Sequence, residues 1–409
     1  MELEIFYKQL LGIESPWQIT KIEIDAKQLF VFVYLGHEKG QQFPCSCCQK
    51  ACSVYDHQEL RTWRHLDTCQ YQTHLKAHLP RTHCSDCGVK TVSPSWSSTY
   101  SRFTDQFECH AIDVLQASQV MQSSALLLQI STDQISYLMK KSVGRGVARR
   151  QAYGEQIAYL AIDEKGYKEG HNYVTILSDA DNGRVLEVVE DRTIESVRKC
   201  YKALNDNQLA HVKGISMDMW SAFASVSKEL APQADIVHDR FHLSCYLNDA
   251  VDITRRAENK KLLQQNNELL KGTKYIWLKN RDNLSPINKE LLDTIRLQSA
   301  LKTVQAFDIK EEFKLFFTAQ TTQHATEFFN QWFEKVSASK NAYLLKVAKM
   351  FKHHFEGLKN YITHRISNAI AESLNSRIQQ IKAKARGFNS STAFRVAILF
   401  HFGKLNLYP

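Results

Sequence analysis

Five short apolar runs, at residues 157–162, 173–178, 185–190, 212–217 and 234–237, constrain the fold of this chain more than any other feature. Each has the length of a buried strand, and a segment with helical spacing separates the third from the fourth and the fourth from the fifth. Asp181-Asn182-Gly183, between the second and third runs, is a hairpin turn and pairs those two strands antiparallel. The expected centre of the molecule is therefore an α/β core.

Two runs end in an aspartate, Asp163 after the first and Asp218 after the fourth. A third acid, Glu372, opens the helical stretch SNAIAESLNSRIQQIKAKA, whose N-cap is expected at Ser367 or Asn368. In-line displacement at a phosphodiester uses two divalent ions roughly 4 Å apart, one for the attacking oxygen and one for the leaving oxygen. Hard Mg²⁺ or Mn²⁺ takes carboxylate oxygen and water, so three convergent acids are a sufficient protein contribution. Neighbouring strands would bring Asp163 and Asp218 together, and a helix crossing their ends would bring Glu372 over them. Acids at strand ends are also common turn residues, and Glu164, Asp179, Asp191, Asp235 and Asp239 compete for the role. In IVHDRFHL, Asp239, Arg240 and His242 follow the fifth run directly, placed to orient such a site or touch a phosphate.

Six of the ten cysteines fall between residues 45 and 84, in a stretch rich in histidine. Cys45 and Cys48 form one C-x-x-C pair and Cys84 and Cys87 another, and two such knuckles suit tetrahedral zinc. Cys47 rivals Cys48, and His57, His65, His74, His78 and His83 leave a three-cysteine, one-histidine site open. Upstream, ITKIEIDAKQLFVFVYLG alternates, with Ile19, Ile22, Ile24, Leu29, Val31 and Val33 as inward positions of a hairpin. From Phe103 the spacing turns helical, and ALLLQISTDQISYLMKKSV reads as helix, turn at Ser131 and Thr132, and a second helix from about Asp133. That is a helix-turn-helix pattern whose Lys140, Lys141, Arg145, Arg149 and Arg150 are placed for phosphate contacts.

The core segment is acidic, with 10 Lys and Arg against 15 Asp and Glu over residues 151–248, while residues 363–409 carry 7 against 1. Cation-binding acids beside a basic surface suit a polyanionic partner. Arg377, Lys382, Lys384 and Arg386 follow Glu372, on a helix placed to track a DNA backbone. Residues 243–366 are almost wholly helical in pattern, with Trp277 and Trp332 at apolar positions, and read as an insertion. No apolar stretch is long enough to span a bilayer, and the first residues lack a signal-peptide pattern, so a cytoplasmic location is expected. Three strands, a helix, a strand, a helix and a strand are also the order of a ribonuclease-H-like core.

The stretches CSCC, VYDHQELRTWRHLD, THCSDCGVKTV, AIDEKGYKEGHNYVTILSD, GISMDMWSAF, ADIVHDRFHL, LKNRDNLS and ISNAIAESLNSRIQQIKAKARGF, in this order, resemble the signature of bacterial insertion-sequence transposases of the ISL-three type. The resemblance covers nearly the whole chain. It implies a multidomain α/β protein: an N-terminal β and zinc-binding domain at 1–100, a helix-turn-helix at 101–152, and a ribonuclease-H-like core at 153–242. An all-α insertion at 243–366 and a closing core segment at 367–409 complete it. It assigns the catalytic acids as Asp163, Asp218 and Glu372, with Mg²⁺ or Mn²⁺ there and structural Zn²⁺ at the cysteines. The implied activity is metal-dependent strand cleavage and transfer on terminal inverted repeats and target DNA, by a homodimer associated with the nucleoid. The rival expectation is a non-catalytic, sequence-specific DNA-binding regulator derived from such an enzyme.

Overall fold

The computed structural model describes residues 3–168, 172–298, 300–366 and 369–409, without the side chains of Leu3, Gln298 and residues 369–372. The chain forms two compact units, Met1–Arg149 with Leu405–Pro409, and Arg150–Lys404. No helix among the described residues is long and apolar enough to cross a membrane.

The first unit opens with α1 (Leu3–Leu10) and a six-stranded sheet of β1 (Gln18–Asp25), β2 (Phe30–Gly36), β3 (Gln42–Pro44), β4 (Ala51–Arg64), β5 (Gln72–Cys84) and β6 (Gly88–Thr91). The strand order is β1-β2-β5-β4-β3, with β6 paired to β5. Alternation builds its core: Val31, Val33 and Leu35 of β2 and Leu75, Ala77 and Leu79 of β5 are buried with Trp17, Phe43, Trp63 and Trp96. An irregularity between Ile19 and Lys21 shifts the register, so Ile19, Ile22 and Ile24 all lie opposite buried residues of β2. Two expected inward positions fail. Ile24 is 56% exposed at the end of an edge strand, and Leu29, 42% exposed with φ 57°, belongs to the turn before β2.

Three helices follow, α2 (Asp105–Ser118), α3 (Met121–Leu128) and α4 (Thr132–Tyr153). Thr104 caps α2, its side chain accepting from the Phe107 N–H, and Gln129 in the left-handed region ends α3. Glu108 is fully buried on α2 and is met from α4 by Lys141 Nζ at 2.7 Å and by the Arg145 guanidinium. Removing that acid leaves two cations largely buried and unpaired. Glu108→Ala is expected to destabilise the unit by about 3 kcal/mol, read as a lowered melting midpoint.

The second unit is built on β7 (Tyr159–Lys168), β8 (Asn172–Asp179), β9 (Arg184–Glu190), β10 (Gly214–Met217) and β11 (Asp235–His238), in the order β11-β10-β7-β8-β9. β7, β8 and β9 are antiparallel neighbours, while β10 and β11 run parallel to β7. The crossover from β9 to β10 carries α5 (Ile194–Tyr201) and α6 (Asp206–Ala210), and α7 (Ser221–Leu230) joins β10 to β11. Leu160, Ile162, Leu177, Ile215 and Met217 bury one sheet face with Val197, Phe223 and Val226 of α5 and α7.

After β11 the chain runs through α8 (Arg240–Leu263), α9 (Lys274–Leu278), α10 (Pro286–Gln298), α11 (Lys302–Glu312), α12 (Thr322–Ala338), α13 (Ala342–His353) and α14 (Phe355–His364). These helices share a core of their own around Trp277, Phe307, Phe313, Phe316, Trp332 and Phe351. Both buried indoles are satisfied, Trp277 Nε1 donating to Thr273 Oγ1 at 2.9 Å and Trp332 Nε1 to the Ile309 carbonyl at 3.0 Å. The region leaves and re-enters the sheet at the same strand. α8 starts directly after β11, and α14 returns to it, Asn360 Nδ2 donating to the Ile236 carbonyl and His364 Nε2 lying 2.8 Å from Asp235.

Gly357 makes that return fit, since a Cβ there would lie 2.3 Å from Cδ2 of the buried His238 ring. Gly357→Ala is expected to cost about 1–3 kcal/mol by overpacking, seen as a lower melting midpoint of this unit. The chain then enters α15 (Ala369–Lys384) and α16 (Ser391–Phe402). α16 is fixed against β9, Arg395 pairing with both carboxylate oxygens of Glu187 at 2.6 and 2.7 Å. The expected caps Ser367 and Asn368 lie outside the described residues.

Candidate functional site

The four knuckle cysteines meet at one point because both pairs are hairpin turns at the same end of the sheet. Cys45 and Cys48 lie in the turn that joins β3 to β4, while Cys84 ends β5 and Cys87 lies in the turn that leads on to β6. β4 and β5 are antiparallel, so the start of one lies beside the end of the other, and the long separation in sequence is the length of two strands. The four sulfurs lie within 4.8 Å of one another, and Cys48 Sγ is 3.6 Å from Cys84 Sγ.

Backbone N–H groups of Asp86 and Cys87 pull the Cys84 thiol down to about 6, and those of Cys48 and Cys47 lower Cys45. The hydrogen bond with Cys48 pushes Cys87 the other way, well above the ordinary thiol range. Backbone N–H groups aimed at the first sulfur of each pair favour the thiolate form that a zinc ion takes as ligand. The donor set fits zinc. Cys47 is exposed and outside the cluster, and of the histidines none joins it among the described residues.

The second constellation lies at the end of β10. Ser216 pairs with Ala161, so Asp218, two residues on, is level with Asp163; Met217 pairs with His238, so Asp239 is level with Asp218. Three aspartates thus form one row across β7, β10 and β11. Asp163 is not at a strand end as expected, because β7 continues to Lys168 against β8. It is at an edge all the same, where its shorter parallel neighbour stops.

His242, on the first turn of α8, stands among these acids. Its Nε2 is 3.9 Å from Asp163 Oδ1 and 3.6 Å from Asp239 Oδ2, and its Nδ1 is 3.8 Å from Asp218 Oδ2. Asp239 is buried and caps α8, its Oδ1 accepting from the Phe241 N–H at 2.7 Å. Asp218 accepts from the Met219 N–H at 2.6 Å and from the Tyr246 hydroxyl at 3.2 Å, which orient the carboxylate without neutralising it. Asp163 accepts from the Glu164 N–H at 2.7 Å and, on its other oxygen, from Asn375 Nδ2 of α15. The backbone of Glu372 lies one turn before Asn375 on α15; its side chain lies outside the described residues.

Of the rival acids Asp239 joins the row, while three others are engaged elsewhere. Glu164 holds Arg192 through both oxygens, Asp179 accepts from the Asp181 and Asn182 N–H groups in the β8–β9 turn, and Asp235 meets His364. Arg192 is also stacked between Tyr173 and Trp220, 4.6 and 4.8 Å from their ring centroids. Trp220, 41% exposed and two residues past Asp218, forms a rim beside the row.

Two family models match this chain: a transposase domain of the ISL3 type over residues 160–398, and a zinc finger of the IS204/IS1001/IS1096/IS1165 transposases over residues 41–87. The first alone covers more than half of the sequence. The chain belongs to the ISL-three (ISL3) family of insertion-sequence transposases. Among curated relatives, the transposase of insertion sequence IS1001 of Bordetella parapertussis is 27% identical over 358 residues, covering 87% of each chain. That of IS1557 of Mycobacterium tuberculosis is 24% identical over 422 residues, covering 95% of this chain and 93% of its own.

In this ISL3 transposase most of the cations expected at phosphates have internal work instead. Lys141 and Arg145 neutralise Glu108, and Arg149 Nη1 donates to Asn406 Oδ1 and the Tyr408 carbonyl. Arg150 donates to the carbonyls of Val185, Leu186 and Gly403, and burial lowers it to about 10. Lys382 Nζ donates to the Gly166 carbonyl at 2.7 Å and ties α15 to β7. Arg377 is exposed over the Phe402 ring, Arg240 is exposed over Phe317, and Lys384 is exposed but engaged. Lys140 and Arg386 are exposed, and their side chains have no partner among the described residues.

Sequence reasoning missed Tyr246, Asn375, Arg192 and Trp220. Two carry a signal in hindsight, Tyr246 four residues after His242 and Asn375 three after Glu372, spacings that put each pair on one helix face.

Proposed function

We propose that this chain is a DNA transposase of the DDE kind, which binds the terminal inverted repeats of its insertion sequence, cuts the strands and joins them to target DNA. The observation that carries the reading is the contact of Asn375 with Asp163, because it seats α15 on the row that Asp163 and Asp218 share. Glu372 precedes Asn375 by three residues on the same helix, a spacing that supports the reading in which it joins the two aspartates at this end of the sheet. Strand order β11-β10-β7-β8-β9, with helices on both faces, supports a ribonuclease-H-like core.

The donors fit hard divalent cations, carboxylates held open by N–H, hydroxyl and amide groups around an imidazole. Mg²⁺ or Mn²⁺ bound by Asp163, Asp218 and Glu372 would supply Lewis-acid stabilisation of the attacking and leaving oxygens. Tyr246 and the Met219 N–H fix the direction of Asp218, and Asn375 that of Asp163. His242, among three acids, is placed to contact a non-bridging phosphate oxygen or hold a proton there. Arg192, held by Glu164 and two rings, gives the rim a fixed guanidinium whose remaining N–H groups are available to the strand beside the scissile bond. The zinc-bearing sheet and the α3–α4 pair, read as a helix-turn-helix, would hold the repeat, and joining two ends calls for a dimer.

The test is incubation of the full chain with a duplex copied from the element's end, with and without Mg²⁺. New 3′-hydroxyl ends at the repeat boundary are expected only with the ion. Tight binding without cleavage in either Mg²⁺ or Mn²⁺ would favour the regulator instead.

A further inference from the structure

Two adjoining cavities of the first unit, of about 240 and about 430 Å³, share Thr62 and Arg102 and so form one trough across β4. One end is lined by Gln129, Ile130 and Gln134 around the turn between α3 and α4, the other by Arg61 and Tyr100. We propose that this trough grips the sugar–phosphate backbone of duplex DNA, with Arg102 on a phosphate, while the start of α4 faces the base edges. The proposal rests on the transposase reading and names the surface by which such a protein would hold its DNA.

Charge argues for a polyanion: Arg61, Arg64 and Arg102 line the trough and no carboxylate does. Arg64 is already paired with Asp67, and Arg61 lies over the Trp63 ring and donates to the Ser101 carbonyl. Arg102 differs, being exposed with no side-chain partner among the described residues. Tyr100, two residues away, is 86% exposed and held at φ 62°, with no ring contact among the described residues.

The loop presenting them is nonetheless fixed. The Arg64 N–H donates to the Arg102 carbonyl, Thr104 N–H to the Arg64 carbonyl, and the Ser97 and Ser101 hydroxyls both donate to the Phe103 carbonyl. A rigid loop holding a cation and an aromatic ring in water is organised for a ligand before it arrives. The Gln129 and Gln134 oxygens accept from Gln72 Nε2 and from the Ser131 N–H, which leaves the amide NH₂ groups as the donors these side chains offer to base edges at the turn between the two helices. Duplex DNA meets both ends of the trough, a backbone for Arg102 and Tyr100 and a groove for α4.

The experiment measures binding of the full chain to three fluorescein-labelled probes by anisotropy over a salt series: a duplex from the element's end, a scrambled duplex, and the single strand. Arg102→Gln is expected to lower the slope of log K against log salt by about 1 on both duplexes. Tyr100→Ala should weaken both duplexes with the slope kept, and melting midpoint and zinc content should stay at wild-type values in each variant. Unchanged slope and affinity in both variants would overturn the trough, as would a loss confined to the single strand. Cleavage separates this from the function itself: a chain that never cuts but loses slope with Arg102→Gln keeps the trough and loses the transposase reading. A chain that cuts, with a slope indifferent to Arg102, does the reverse.

Discussion

Asp218→Asn is expected to reduce Mg²⁺-dependent cleavage of element-end DNA by roughly a thousandfold or more, about 4 kcal/mol of transition-state stabilisation. The substitution isolates charge from shape. An asparagine oxygen still accepts from the Met219 N–H and the Tyr246 hydroxyl, so the end of β10 keeps its hydrogen bonds while the negative charge is lost. Melting midpoint and DNA affinity should stay close to wild type, and the loss should appear in the cleavage rate. Asp163→Asn should behave alike, although its contact with Asn375 makes some loosening of α15 an added effect. Asp239→Asn is expected to be milder, because the main observed role of that side chain is to cap α8, which asparagine also does. Wild-type cleavage by Asp218→Asn would remove this residue from the chemistry and with it the proposed mechanism.

Removing zinc should have the largest structural effect. Binding of a structural zinc ion is worth roughly 10–16 kcal/mol in small domains, comparable with the roughly 5–15 kcal/mol that holds a typical domain together. The two turns that the ion would join are the ends of β3–β4 and β5–β6, so without it two hairpin tips are free to separate. The full chain is expected to contain one zinc per molecule by elemental analysis. Chelation or Cys84→Ser should abolish that stoichiometry and unfold the first sheet, read from the emission of the buried Trp63. Cys47→Ser should keep the metal, since Cys47 is exposed and outside the cluster. Full retention of near-native fluorescence by a metal-free chain would show that the hydrophobic core around Trp17, Trp63 and Trp96 suffices.

Much of this was legible before any fold was known. The five apolar runs fall on β7 to β11, because the buried part of a strand in an α/β sheet has to be apolar; β7 outruns its own by six residues, since Asp163 to Lys168 pair with β8 without forming an apolar run. The knuckle cysteines were legible for a similar reason: a thiolate pair at that spacing has few other uses. The inward positions of β1 and β2 were read less well. Ile24 and Leu29 satisfy the alternation but lie at a strand end and in a turn, and alternation says nothing about where a sheet stops covering its own edge.

Cations are the residues whose partners a sequence leaves most open. Lys141, Arg145, Arg149, Arg150 and Lys382 look like phosphate ligands in a list of residues, yet each is bound to an acid, an amide or a carbonyl of its own unit. A positive charge carries no mark of its partner. Arg102 and Tyr100, which stand exposed on a fixed loop, have no sequence pattern to announce them.

The sequence by itself determined the chemistry available to this protein: which acids end or follow buried runs, which thiols come in pairs, and which segments are strand or helix. Those are local properties, written in residue type and spacing. Only the tertiary structure decided which of them meet. The register of β10 on β7 makes Asp163 and Asp218 neighbours, and the return of α14 to the strand that α8 left brings α15 back to the sheet. The antiparallel pairing of β4 and β5 gathers four distant cysteines, and the burial of Glu108 takes two cations out of solvent. Each depends on contacts between residues far apart in the chain, and on the cost of burying a charge without a partner, which no local pattern encodes.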